Sequence, residues 1–225
     1  MTEEDVYIII PAKDEDTRIG QVVDSILDLG YSNVIVVDDG SSDQTRSTVQ
    51  LKGVTVVSHA VNLGVGAATK TGIEVALEKG AQYLVTMDGD GQHFADDIPA
   101  LVSTLVSAHV DCVLGSRFKM KGHAIPKARI FMNQIGNIIT ALITGLWVSD
   151  SQSGMKAFTA DFGRKLDFQF SGYEFCTEFI HFLRQHKASF KEVPIKVHYS
   201  SETMKKGQSF KNGFRMLIKF IRGFG

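Results

Sequence analysis

Two aspartates stand one residue apart in the stretch MDGDGQH, Asp88 and Asp90, at the end of the apolar run Tyr83 to Met87. Carboxylates that close repel one another, so the pair calls for a cation or a proton. Glycines at 89 and 91 let the chain curl, so that side chains which a regular strand sends to opposite faces turn to one ligand. Oxygen donors on a tight turn suit Mg²⁺ or Mn²⁺, which take one or two carboxylates and complete their shell with water and substrate phosphates. Gln92 adds a neutral oxygen, and the implied ligand is a phosphate ester or diphosphate. The alternative use of Asp88 and Asp90 is an Asx-turn that ends a strand.

Two other acidic clusters follow apolar runs, PAKDE (Pro11 to Glu15) and DDGSSD (Asp38 to Asp43). A carboxylate at a sheet edge accepts hydrogen bonds from a base N–H or a ribose hydroxyl, a role open to Glu15, Asp38 and Asp39. Asp38 and Asp39 also fit a turn, and Asp43 fits an N-cap of the helix that follows. A G-x-G-x-x-G fingerprint after the first strand would mark a dinucleotide fold, and it is missing.

The elements that must position these groups are short β-branched runs with helix-period segments between them, the pattern of strands joined by crossover helices. Strands are expected at Val6–Ile10, Asn33–Val37, Val54–Ser58, Gln82–Met87 and Asp111–Leu114. Ile19, Val22, Val23, Ile26 and Leu27 fit one helical face, and Ala68, Ile73, Val75, Ala76 and Leu77 fit another less cleanly. An α/β open sheet through about residue 115 results, and such sheets bind ligands beyond the carboxyl ends of their strands. After it come a basic loop, a long apolar helix from Lys127 to Trp147, the segment SDSQSGMKAF, a helix over Tyr173–Lys187, a strand near Phe190–Tyr199 and a basic tail. One domain over 1–225 is expected, with a nucleotide-binding half (1–115), an acceptor-side half (116–204) and the tail (205–225).

Bulk properties narrow the function. With 225 residues, 44% apolar and 22% charged, the chain has ordinary globular composition, and a net charge of -1 argues against a general nucleic-acid binder. Cys112 and Cys176 lack metal-type spacing, and the acidic start MTEEDVYIII does not resemble a secretory signal, so a reduced, cytoplasmic protein is expected. The nearly apolar run Ile135 to Val148 falls short of the roughly 20 residues of a bilayer span.

The ordered set PAKDE, VVDDGSSD, NLGVGAA, MDGDGQH, GSRF and DSQSGMKAF resembles the family 2 glycosyltransferases of GT-A fold, in particular their polyprenyl-phosphate branch that includes dolichol-phosphate mannosyltransferase. That resemblance covers nearly the whole chain. It implies an open, mixed, Rossmann-like sheet with helices on both faces, a nucleoside site at Pro11, Ala12, Glu15, Asp39 and Asp38, and a metal and diphosphate site at Asp88, Asp90 and Gln92. Arg117, Arg129 and Asn133 resemble the groups that meet donor and acceptor phosphates, and Arg129 is equally well placed as a solvated residue. Asp150, Gln152, Ser153 and Gly154 match the D-x-Q-S-G segment beside the sugar and acceptor. Glu178 matches a family glutamate on a helix otherwise rich in phenylalanine, and His93 fits a family position without an assigned role. Lys13-Asp14 stand where the family usually has Tyr-Asn, which removes an aromatic that would stack on the base; Met155 replaces a common Phe, and Leu63 and Val65 replace residues that are basic in some members.

The implied reaction is metal-dependent, inverting transfer of a hexose, mannose or glucose, from a GDP- or UDP-sugar to a polyprenyl phosphate. A phosphate monoester has its second ionisation near pH 6, about the working range, so such an acceptor needs no strong base. A sugar hydroxyl would need one, and Asp150 is the first candidate. From Phe210 onward Phe210, Phe214, Leu217, Ile221 and Phe224 share one helical face, and the tail carries six positive charges with no acid after Glu202. A basic amphipathic helix of this kind lies at an anionic membrane surface or closes the core, and the first use implies a protein peripheral to the cytoplasmic membrane face. Transfer to a glycan hydroxyl and a non-catalytic nucleotide-sugar binder are the competing readings. A haloacid-dehalogenase-type phosphatase also uses D-x-D, but on its first strand.

Overall fold

The strands at the centre of the sheet are those whose sequences do not alternate. In Val34–Asp38 every residue is buried, and in Val6–Ala12 five of seven are, because both faces of these strands are covered. The structure is a computed structural model that describes residues 3–120 and 127–198. Within them the chain runs β1 (Val6–Ala12), α1 (Ile19–Leu27), β2 (Val34–Asp38), α2 (Thr45–Gln50), β3 (Thr55–Ser58), α3 (Val65–Glu78), β4 (Tyr83–Thr86), α4 (Ile98–Ser107) and β5 (Cys112–Ser116). It continues through α5 (Lys127–Thr144), β6 (Lys156–Thr159), α6 (Ala160–Gly163), α7 (Phe175–Gln185) and β7 (Phe190–Pro194). The five expected N-terminal strands are found within two residues of their expected ends.

The sheet has seven strands in the order β3-β2-β1-β4-β6-β5-β7, with β6 antiparallel to both neighbours. The order in which parallel strands are added reverses between β1 and β4, which opens a crevice at their carboxyl ends. Because β6 runs backwards, Lys156 at its start pairs with Thr86 at the end of β4, so the segment preceding β6 arrives at the same edge. No β-branched run announces β6, whose sequence is KAFT, and the sequence does not predict it.

One apolar layer joins β1, β2 and β4 to α1 and α4, and the other joins the opposite face to α3, α6 and α7. In α1 the buried residues Ile19, Val22, Val23 and Ile26 follow the expected spacing. Close approach of α3 depends on Gly72, where a Cβ would fall 2.3 Å from Ile9 Cγ2. The second layer holds a phenylalanine cluster in which Phe158, Phe162 and Phe179 meet edge-on at centroid distances of 5.6–6.3 Å. Helix α5 stops at Thr144 rather than Trp147, since Gly145 takes φ +68, and α7 is shorter at both ends than expected. The last strand ends at Pro194 rather than near Tyr199, and the expected tail helix lies outside the described residues.

Candidate active site

The carboxyl ends of β1, β2 and β4, with the start of β6 and the end of β5, enclose a cleft of about 650 Å³. Its floor and one wall are acidic, formed by Asp14, Glu15, Asp39, Asp88 and Asp90; Arg117, Asn133 and Gln152 line it as well. Three expected carboxylate clusters thus do converge, and they divide their labour.

Asp38 and Asp39 separate at once. Asp38 Oδ1 accepts the Ser41 N–H at 3.1 Å, and the residue is not part of the cleft lining. Asp39 lines the cleft and holds the loop that leads into α3, since its carboxylate accepts from Leu63 N and Gly64 N at 2.8 and 2.7 Å. His59 Nδ1 lies 2.7 Å from the same carboxylate and its Nε2 3.0 Å from Thr71 Oγ1. His59 was not legible as a site residue, because its link to Asp39 exists only through the β2–β3 pairing. The N-cap of α2 is Gln44 rather than Asp43, which stands one residue earlier and accepts Thr45 N at 2.9 Å and Asp16 N at 3.1 Å. Glu15 is buried beside Arg18, whose Nη1 donates to it at 3.1 Å. Pro11 and Ala12 line the cleft from the end of β1, and Lys13 Nζ bridges Asp14 and the Gly40 carbonyl, both at 3.0 Å.

Asp88 and Asp90 differ in their surroundings. Asp88 has a side chain 39% exposed to the cleft, with His93 Nε2 3.4 Å away. Burial opposes its ionisation, but His93, Lys156 and Arg117 outweigh that and hold the carboxyl below its ordinary range. Burial and the neighbouring Asp88 push Asp90 the other way. Gln92 supports Asp90 through N–H and Nε2 at 2.9 and 2.6 Å. These donors fit a hard divalent cation, which would relieve the repulsion that raises Asp90. Among the described residues no three acidic, histidine or cysteine side chains converge into a full metal cage, so a cation here would complete its shell with ligand oxygens and water. Gly154 leaves room for the Asp88 carboxylate, whose atoms lie 2.3–2.5 Å from where a Cβ at 154 would be.

Across from the acidic wall, Asp150 and Arg117 form a bidentate pair. Arg117 donates from Nε and Nη2 at 2.7 Å each and from its backbone N–H at 3.0 Å. The Asp150 side chain is fully buried and does not line the cleft, whereas Arg117 does. The Asp150–Gly154 segment is fastened to α5 through Asn137, which accepts Ser151 N at 2.9 Å and donates to the Ser149 carbonyl at 2.7 Å. Ser153 is buried and turns its hydroxyl to Met155 N, while Gln152 reaches the cleft. Asn133 Nδ2 and His93 Nδ1 are buried nitrogens without a hydrogen-bond partner among the described residues. Arg129 belongs to the first turn of α5, and its side chain lies outside the described set.

Glu178 is placed differently from a phosphate ligand. It is buried on α7, and its two oxygens accept Gln169 N and Phe170 N at 2.8 and 3.1 Å. In the segment it grips, the Ser171 carbonyl accepts the Gly66 N–H at 2.7 Å, and Gly64 at φ +103 has no space for a Cβ beneath it. Tyr173 overhangs the cleft from this segment, where burial and the acidic wall push its phenol upward. Tyr173 and Lys156 carry no sequence signal that separates them from ordinary helix-entry and strand residues.

The cleft lies at the switch point of an open mixed sheet, where such folds bind ligands, and the sequence comparison gives the family. Residues 7–162 match the glycosyl transferase family 2 model, and the chain belongs to that family. An uncharacterized protein of Methanocaldococcus jannaschii is 35% identical, with 98% of this chain and 93% of that protein covered. The UDP-N-acetylglucosamine--dolichyl-phosphate N-acetylglucosaminyltransferase of Methanococcus voltae is 33% identical over 98% of this chain and 96% of its own length. An undecaprenyl-phosphate mannosyltransferase of Micrococcus luteus is 29% identical, covering 84% and 82%. In fold, the chain superposes on glucosyl-3-phosphoglycerate synthase of Mycobacterium tuberculosis, solved with Mn²⁺, UDP and glucosyl-3-phosphoglycerate, with a TM-score of 0.70 at 19% identity, covering 96% of this chain and 77% of that one. The GT-A-like architecture and the glycosyltransferase class expected from the motifs therefore hold.

Proposed function

We propose that this glycosyltransferase moves a hexosyl group, with inversion, from a nucleoside diphosphate sugar to a polyprenyl phosphate. The observation that carries the acceptor is the Asp150–Arg117 pair. Asp150 is buried against Arg117 and does not line the cleft, and the carboxylates that do line it include the Asp88–Asp90 pair proposed for the cation. A hydroxyl nucleophile would have to give its proton to one of those carboxylates, whereas a phosphate oxygen arrives already ionised. The names of the relatives, which include dolichyl- and undecaprenyl-phosphate acceptors, support the same class.

Asp39 and Glu15, with the Pro11–Ala12 strand end, hold the nucleoside, and Asp88, Asp90 and Gln92 hold Mg²⁺ or Mn²⁺. The ion, when bound, supplies neutralisation of the departing diphosphate. Asp150 fixes the plane of the Arg117 guanidinium at the cleft wall, where a planar fork suits a phosphate. Asn133 Nδ2 offers a further donor, and the acceptor attacks the anomeric carbon from the face opposite the diphosphate. Mannose and glucose follow from the motif resemblance, and N-acetylglucosamine follows from the Methanococcus voltae relative.

Helix α5 supports a membrane-surface acceptor. Phe131, Ile138 and Leu142 are exposed on one stripe and Trp147 is exposed just beyond the helix, while residues 112–149 contain Arg117, Lys119, Lys121, Lys127 and Arg129 and no acid. No helix among the described residues is long and apolar enough to cross a membrane. A panel of GDP- and UDP-sugars with polyprenyl phosphate and Mn²⁺, read by mass, is expected to yield one lipid-linked sugar monophosphate. Transfer to a glycan hydroxyl with the lipid phosphate left untouched would overturn the proposal.

A further inference from the structure

Lys156 occupies a position where the middle of a sheet is ordinarily apolar. It pairs with Thr86 of β4 and Leu114 of β5 and is 2% exposed. Its ammonium forms no salt bridge among the described residues; it lies 5.3 and 5.7 Å from the ring centroids of Phe179 and Phe175 and donates to the Ser153 carbonyl. Burying an ammonium without a carboxylate partner is unfavourable by about several kcal/mol, and a methionine fills similar space without that penalty. The charge is thus poorly explained by stability.

Its surroundings suggest the use. The Ser153 carbonyl belongs to the turn whose next residue, Gly154, adjoins the Asp88 carboxylate, which fills the space a side chain at 154 would need. Thr86 Oγ1 holds the Gly154 carbonyl from β4 at 2.7 Å, so both carbonyls of the turn are fixed by strand side chains. Through this turn the ammonium stands behind Asp88, and with Arg117 it acts on that carboxylate electrostatically. We infer that Lys156 is a positioning residue of the donor site, a fixed positive charge behind Asp88 that weakens binding of a bare divalent cation and strengthens binding of the nucleoside diphosphate. The inference rests on the reading of this cleft as a metal and nucleoside diphosphate site.

A charge acts with opposite sign on ligands of opposite charge, whereas a distorted turn weakens both. In Lys156→Met and Lys156→Gln, Mn²⁺ alone, followed by loss of the free-ion electron paramagnetic resonance signal, is expected to bind roughly 3- to 10-fold tighter. UDP or GDP, whichever wild-type protein prefers in the presence of EDTA by calorimetry, is expected to bind roughly 3- to 10-fold weaker. Lys156→Arg keeps the charge and is expected to keep both constants within about twofold. A same-sign change in both constants, no change in either, or failure of both neutral variants to fold overturns the inference alone. Wild-type protein that binds neither Mn²⁺ nor either nucleotide overturns the reading of the cleft, and this inference with it.

Discussion

The two sides of the cleft use their carboxylates differently. On the β1, β2 and β4 side, five acidic residues line the cavity, and Asp88 and Asp90 have their ionisation pushed in opposite directions by their neighbours. On the β5 and β6 side, the carboxylate of Asp150 is buried and committed to Arg117. In the first region Asp88 and Asp90 face the cleft, whereas in the second the acid serves a protein side chain. The same residue type therefore has to be read from its partners, and the contrast supports the proposed cation in the first region and the proposed phosphate in the second.

The strongest way to break this contrast is at Asp90. Asp90→Asn is expected to reduce Mn²⁺-dependent transfer by on the order of 10³-fold in a rate assay, since it removes charge from the cation site. The pH dependence adds a sign. A carboxyl held above its ordinary pKa binds protons better in the folded state, so its contribution to stability falls as pH rises from the ordinary Asp range through the raised value. Without metal, thermal unfolding near neutral pH should find Asp90→Asn at least as stable as the wild type; Mn²⁺ should stabilise only the wild type.

The opposite side is tested by Asp150→Asn, which leaves Arg117 without its charged partner. Breaking a buried pair is expected to lower stability by about 3–5 kcal/mol in denaturant unfolding. Transfer to a lipid phosphate should fall by about 10- to 100-fold, and Arg117→Ala with Asp150→Asn should be little worse than Arg117→Ala alone, because the two act as one unit. Full additivity in that cycle would show that Asp150 does chemistry of its own.

Smaller effects follow at the roof and the outer helix. Glu178→Gln turns one of the two accepting oxygens into an NH₂ that faces a backbone N–H, and a loss of about 1–3 kcal/mol in chemical unfolding is expected, with a higher KM for the donor as Tyr173 loses its support. Leu142, 80% exposed on α5, should tolerate Leu142→Asp within about 0.5 kcal/mol. The same variant should cosediment less with anionic vesicles, and unchanged cosedimentation would remove α5 from the membrane contact.

Much of this was legible in the residues. β-branched runs located five strands because a strand buried on both faces needs a continuous apolar sequence. Asp88, Asp90 and Asp39 were legible because carboxylates beside glycines at strand ends have few other uses together. Glu178 was legible as a residue of note but not for its partners, since a helix position says nothing of which loop folds over it. β6 was missed because a lysine in a four-residue strand breaks the apolar pattern, and the aromatic rings that shelter it come from α7, some 20 positions later in the chain.

The strand-and-helix alternation and the placement of carboxylates at strand ends, including the pair in MDGDGQH, could be read from the chain because they depend on residues close together in it. Only the tertiary structure decided which carboxylates face the cleft. Asp38 and Asp39 are adjacent, yet one closes a turn and the other binds loop amides at the cleft wall. Asp150 lost its availability to Arg117, 33 residues away, when antiparallel β6 brought its segment beside the end of β5. Strand order and direction are set by packing over the whole sheet, and no local pattern encodes them.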